Sequence, residues 1–381
     1  MLNTGFSPWP SYTEEEAQAV QEILLSNKVN YWTGDNGRMF EKEFSEFVGC
    51  NYSVAVANGT LALDLSLKAL GISDQDEVIV TARTYLASVT SIVNSGARPI
   101  FADIDLDSQN ITAETIEKLI TTKTKAIMCV HLAGWPCEMD DIIDLAKTFN
   151  LFVIEDCSQA HGARYKGKSV GSLGDIGCWS FCQDKIITTG GEGGMVTTNS
   201  KELWSKMWSY KDHGKDWDTV YKKKHKLGFK WVHETFGTNW RITEMQSVIG
   251  RIQLKRMHKW HENRIKYANQ IWSVAASCAS LRVPKLPDHI EHAAYKCYVF
   301  SGKQERQKLL NDFISNGIPC SEGACPEVYL EKAFENSGLR PTNRLPNSKL
   351  LGETSLSFLC HPTLTQEEVN LTCDKIKSLC D

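Results

Sequence analysis

Residues 154–199 read IEDCSQAHGARYKGKSVGSLGDIGCWSFCQDKIITTGGEGGMVTTN, and the fold follows from how this stretch begins and ends. The apolar run Phe152, Val153, Ile154 has the composition of a buried strand, and it closes on the carboxylate of Asp156. Two short β-prone runs, at 178–181 and 195–198, flank Lys185 and a glycine cluster, which predicts a hairpin-like return with Lys185 between its strands. Upstream, strand signals at 54–57, 77–80, 100–102, 126–130 and 152–154 alternate with helix signals at 61–70, 88–93, 113–120 and 139–149. Alternation of that kind with short connections calls for an α/β fold, a mixed and mostly parallel sheet covered by helices on both faces.

Towards the N-terminus, Thr13 and Glu16 form a capping-box pattern ahead of Ala17, Val20, Ile23 and Leu24, so a first amphipathic helix is predicted there. Towards the C-terminus, residues 211–239 are polar, aromatic and irregular, with Lys222, Lys223, Lys224 and Lys226 close together; they read either as a solvated charge run or as a functional loop. A long helix bearing Met245, Val248, Ile249, Ile252 and Met257 follows, and Val369, Cys373, Ile376 and Leu379 mark a final one. With 381 residues the chain suits two domains, a large one over 1–258 and a smaller C-terminal α/β one over 259–381.

Composition narrows the function. A formal net charge of -4 argues against a general nucleic-acid binder. The start of the chain has no secretory pattern and no run reaches the length of a membrane span, so a cytoplasmic protein is expected. Thirteen cysteines, an odd number without a CxxC pair, are expected to be reduced packing residues, and no metal site is expected.

The chemistry is carried by a few positions. In open α/β sheets ligands bind beyond the carboxyl ends of the strands, which is where Asp156 stands. Lys185 follows 29 residues later. An aspartate and a lysine so placed suit pyridoxal phosphate, which needs an amine to hold its aldehyde and a carboxylate to keep its ring nitrogen protonated. Asn58-Gly59-Thr60 turns a strand into a helix, offering backbone N–H groups, a hydroxyl and the positive end of a helix dipole to a phosphate. The glycines at 190–194 are not a dinucleotide fingerprint, because β-prone Met195 to Thr198 follows them where that motif requires a helix. His161 reads either as a general base or as a structural partner of Asp156.

From residues 154–199 the sequence resembles the DegT/StrS family of nucleotide-sugar aminotransferases, pyridoxal-phosphate enzymes of fold type I, and the likeness extends from YWTG near Tyr31 to the final helix. The resemblance implies roles residue by residue. Lys185, in SFCQDKIITTGGEGG, would anchor the cofactor and move the proton; a histidine there would imply dehydration. Gly59, Thr60 and Ser180 would hold the phosphate, Tyr85 in TARTYLAS would stack on the ring, and Gln159 would lie against it beside Asp156. Asn239, in FGTNWRITEMQSVIGRIQL, would cross from a neighbouring subunit to the phosphate, making a homodimer with shared active sites. The implied reaction passes an amine from L-glutamate, through the pyridoxamine form of the cofactor, to a nucleotide-linked keto-sugar, with a 4-keto-6-deoxy hexose favoured. A 3-keto-sugar aminotransferase, a sugar dehydratase and a cofactor-binding regulator are the alternatives. HLAGWPCEMDD and KDHGKDWD depart from the family pattern, which points to a different sugar pocket.

Overall fold

The structure is a computed structural model, and it describes residues 5–380. A seven-stranded sheet runs in the order Tyr52–Val56, Gly194–Thr198, Ile176–Ser180, Phe152–Asp156, Thr124–Val130, Glu77–Thr81, Arg98–Ala102. Gly194–Thr198 is antiparallel to both of its neighbours, while the remaining strands run one way. The return carrying Lys185 is therefore the antiparallel pair Ile176–Ser180 and Gly194–Thr198, in register from Gly177 opposite Thr197 to Ser180 opposite Gly194.

Phe152–Asp156 lies at the centre of this sheet, with Asp156 opposite Val130 on one side and Cys178 on the other. Burial from Val153 to Asp156 on both faces explains its apolar character, with Phe152 at its start left exposed. The helix predicted at 113–120 is shorter, Ala113–Glu117, and the one at 61–70 is Gly59–Ala69. A helix absent from the sequence reading, Asn36–Val48, packs Phe40 and Phe44 against Phe181. Its first turn is capped from a distance, since Glu244 accepts from the Asn36 and Gly37 amides at 2.6 and 3.0 Å.

Helix Glu244–Ala275 is 32 residues long, so it spans about 48 Å at 1.5 Å per residue. Its N-terminal half packs on Asn36–Val48, where Gly250 admits the Phe40 ring; a Cβ there would lie 2.5 Å from Phe40 Cζ. Its C-terminal half packs Tyr267, Ala268 and Ile271 into a second core, beside a four-stranded antiparallel sheet in the order Leu281–Arg282, Cys297–Ser301, Ser355–Phe358, Cys320–Ser321. Val328, Tyr329 and Phe334 belong to the core of the large sheet although they lie late in the chain.

The segment expected to be irregular folds back on itself. Bridges Asp212 to Asn239 and Lys215 to His233 close it, and it contains the short helix Trp217–Tyr221. Lys211 is buried and bonds Glu41 at 2.9 Å, whereas Leu227, Phe229, Trp231 and Phe236 are exposed. The cysteines are packing residues for the most part, and only Cys182 and Cys325 escape full burial. Among the described residues, no helix is long and apolar enough to cross a membrane.

Candidate active site

Beyond the carboxyl end of the central strand lies a cavity of about 760 Å³. Gly59, Thr60, Tyr85, Asp156, Gln159, Ser180 and Lys185, distant in sequence, all line it. Asn239 is exposed and is not part of its lining.

Helix Gly59–Ala69 begins at the wall of the cavity, with the Asn58 carboxamide oxygen accepting from the Leu61 amide at 2.9 Å. The amides of Gly59 and Thr60 have no intrahelical acceptor at such a start and are available to an anion. Ser180 abuts this turn so closely that a Cβ on Gly59 would fall 2.5 Å from the Ser180 Cβ. The candidate phosphate cradle is thus a contact between a helix start and a strand end, and only glycine allows it.

Asp156 is buried and fixed from two sides. Ser88 Oγ donates to its Oδ2 at 2.8 Å, and the Ser158 amide donates to its Oδ1 at 3.1 Å. The Gln159 side-chain oxygen accepts from the Ala133 amide at 2.8 Å, which sets the orientation of that amide group. Tyr85 is 73% exposed, so its ring stands at the mouth of the cavity and is not a core tyrosine.

Lys185 is held by its backbone, and its amine is open to the cavity. The Trp9 indole donates to its carbonyl and its own amide donates to the Cys182 carbonyl, both at 3.0 Å. Its Nζ lies 3.4 Å from Asp184 Oδ1 and 5.2 Å from the centre of the Tyr295 ring. Burial works to raise the Asp184 pKa, yet the Lys185 charge, the Tyr295 hydroxyl and Lys296 outweigh it and hold the carboxyl below its usual value. Sequence reasoning misses both Asp184 and Tyr295. Adjacency to Lys185 is the available signal for the first, while the second arrives from 111 positions beyond Asp184.

His161 is not a partner of Asp156. Its ring packs against Trp179 and Phe181, both nitrogens are buried without a hydrogen-bond partner, and Asp156 takes its bonds from Ser88 and Ser158. Burial, reinforced by the Lys185 and Arg264 charges, pushes its pKa down to about 3, which disfavours a general base near neutrality. Burial likewise takes His292 and His361 down to about 3. An unfolded histidine titrates near 6.5, so between those values the native state binds fewer protons than the unfolded one. Stability is fully present above about pH 7 and is lost as the pH falls, each histidine contributing a slope of up to about 1.4 kcal/mol per pH unit. Thermal melts from pH 8 to 4 should show a plateau and then a decline that His161→Phe makes shallower; an identical decline in that variant would remove His161 from the account.

His131, Glu155 and Cys157 also cluster. There the His131 Nδ1 accepts from the Cys137 amide, so Nε2 bears the hydrogen and donates to Glu155 at 3.0 Å. Glu155 also takes the amides of Gly171, Leu173 and Gly174, and the cluster is a closed hydrogen-bond network bracing the central strand.

Residues 10–377 match the DegT/DnrJ/EryC1/StrS aminotransferase family. A GDP-perosamine synthase of Escherichia coli O157:H7 is 36% identical over 371 residues, which is 96% of each chain. A UDP-N-acetyl-3-dehydro-alpha-D-glucosamine 3-aminotransferase of Acidithiobacillus ferrooxidans is 33% identical, over 97% of this chain and 94% of its own. The X-ray structure of an aminotransferase from Psychrobacter cryohalolentis is 56% identical, with a TM-score of 0.96 over 98% of each chain. The chain belongs to the DegT/DnrJ/EryC1/StrS family and is a transaminase of fold type I that uses pyridoxal phosphate.

The cavity fits that cofactor. The glycine-shaped turn of Gly59, Thr60 and Ser180 would hold the phosphate, Asp156 would offer a fixed carboxylate to the ring nitrogen, and Lys185 would offer an amine from the same cavity. When bound, the cofactor supplies an aldehyde that exchanges amines and a ring that withdraws electrons. Asp184 Oδ1 lies 3.4 Å from the Lys185 amine, near enough to orient it.

Proposed function

We propose that the enzyme transfers the amino group of L-glutamate to a nucleotide-linked keto-sugar, a 4-keto-6-deoxy hexose, for the amino sugars of a surface polysaccharide, and that it does so in the cytoplasm. The observation that carries this reading is the Lys185 amine, open to the same cavity as the fixed Asp156. Similarity to the E. coli synthase over 96% of both chains supports a nucleotide-linked acceptor. Similarity to the A. ferrooxidans aminotransferase supports a second reading, a sugar carrying its carbonyl at C3. Incubation with glutamate and a panel of UDP-, dTDP- and GDP-linked keto-sugars, with mass and NMR analysis of the products, should yield an amine at C4. Amination only of 3-keto substrates would replace the first reading with the second, and turnover of none would remove both.

The working unit in this proposal is a homodimer with shared active sites. Asn239 lies at the base of an excursion whose Leu227, Phe229, Trp231 and Phe236 are exposed, and it does not line the cavity of its own chain. A two-fold interface over that apolar surface would carry Asn239 to the opposite cavity twice. Lys185→Ala and Asn239→Ala should each be poorly active alone, and mixed dimers should regain one intact site. Demonstrably mixed dimers without recovered activity would rule the shared site out.

A further inference from the structure

The Lys185 amine reaches its cavity on a flexible side chain, and the bonds from Trp9 and to Cys182 fix only the backbone from which that chain starts. What meets the amine is Asp184, with Oδ1 at 3.4 Å, and the face of Tyr295, with the ring centre at 5.2 Å. All three residues line the cavity. Asp184 is not free to turn, because the Tyr295 hydroxyl donates to its other oxygen, Oδ2. Tyr295 is fixed in turn. Its ring is buried, and its amide donates at 3.0 Å to the carbonyl of Ala133, whose own amide donates to the Gln159 side chain. The carboxylate thus has one oxygen bonded to the tyrosine and the other beside the lysine.

The surrounding charges give this arrangement its sense. Lys296 is lowered by burial, with Arg264 and Lys185 adding their repulsion against the pull of Asp184. Burial takes Arg264 down to about 10, which leaves it charged near neutrality. His161 is neutral there, and burial keeps the protons on the Cys182 thiol and the Tyr295 hydroxyl. Of the other carboxylates lining the cavity, Glu192 is exposed, with the Cys182 thiol at 3.8 Å, and Asp156 is held by Ser88 and Ser158. Asp184 is therefore set against Lys185, Lys296 and Arg264 together. An ammonium at Lys185 gains from both the carboxylate and the ring face, and a neutral amine gains far less from either.

We propose that Tyr295 and Asp184 are positioning residues for the reaction: the tyrosine fixes the carboxylate, and the carboxylate holds the proton-bearing form of the Lys185 amine at the cavity. Each time Nζ takes up a proton, the resulting ammonium is stabilised where it stands, and the proton is returned from that same place. This part in the reaction rests on the assignment of Lys185 as the reactive amine.

The test reads the amine first, without turnover. The enzyme is loaded with pyridoxamine phosphate, which leaves the lysine amine free, and is labelled with trace acetic anhydride across the pH range. Mass spectrometry then gives the pH midpoint of labelling at Lys185, with the exposed Lys285 as internal control. Asp184→Asn nearly preserves shape and removes the charge. The Lys185 midpoint should fall by about one pH unit, the low end for a neighbouring opposite charge because Asp184 is partly exposed, while Lys285 stays unchanged. Tyr295→Phe keeps the ring and frees the carboxylate, so its fall should be smaller, and it should vanish when Asp184 is already replaced. In the single-turnover glutamate half-reaction, Asp184→Asn should shift the acid limb of the pH profile down and lower the plateau roughly three- to tenfold, because a weaker base titrates earlier and accepts a proton less readily. The glutamate concentration for half-maximal rate should not change. A merely structural role would move the melting temperature and leave the labelling midpoint alone. An unmoved midpoint in folded Asp184→Asn overturns the proposal, and so does a shifted midpoint with an unaltered half-reaction. A Tyr295→Phe fall that persists in the double variant overturns the part given to the tyrosine. Borohydride fixation on another lysine, with the midpoint shift intact, sinks the assignment of Lys185 and upholds the contact.

Discussion

Lys185→Ala is expected to cost turnover by roughly 10⁴-fold or more, because in the proposed assignment one amine would serve as both anchor and proton carrier, and proton transfer alone commonly contributes about 10²–10⁴-fold. The loss should be chemical and not structural. The backbone at 185 is held by the Trp9 indole and the Cys182 carbonyl, neither of which depends on the side chain, and the removed Nζ makes one ion pair, to Asp184. The wild-type protein should be yellow, and borohydride should fix the cofactor on the peptide containing Lys185. Lys296 is the informative competitor, since it lines the same cavity. A label on Lys296, or near-normal turnover in Lys185→Ala, would overturn the assignment.

The second large effect is expected from Asp156→Asn. The substitution nearly preserves shape: the carboxamide oxygen can still accept from the Ser158 amide, the NH2 replaces the oxygen that accepted from Ser88 Oγ so that this hydroxyl must turn to accept, and the charge that would keep a ring nitrogen protonated is lost. Removing one preorganised electrostatic contact in a buried site typically costs on the order of 10²-fold or more in rate. Cofactor affinity should fall as well, and the thermal midpoint should move much less than either. The measurement is single-turnover conversion with glutamate at saturating cofactor. A rate within a few-fold of wild type would remove the electronic role from Asp156 and leave it a binding residue.

The sequence makes some of this legible because the physics is local. An apolar run that ends on a carboxylate announces the central strand and Asp156, and β-prone runs either side of Lys185 announce the antiparallel return. Helix Asn36–Val48 is harder to read, since its cap is Glu244, about 200 residues away along the chain; the spacing of Phe40, Phe44 and Val48 is nevertheless a usable signal. Nothing local could assign Val328, Tyr329 and Phe334 to the core of the large sheet. Nor does any motif join Asp184 to Tyr295, because 111 positions separate them and only the tertiary fold brings both around one cavity. His161 shows the opposite failure. A histidine near an aspartate in sequence suggests a pair, but the turn after the strand sends its ring into an aromatic pocket.

The distribution of thiols has a practical consequence. Eleven of the thirteen cysteines are buried, and the remaining two, Cys182 and Cys325, both line the cavity that contains Lys185. Burial raises the pKa of each of those two, so they react slowly, but they are the ones a reagent can reach. Alkylation kinetics on the unmodified enzyme therefore amount to a covalent footprint of the active site: ligands that fill the cavity should shield both positions together, without an engineered reporter anywhere in the chain.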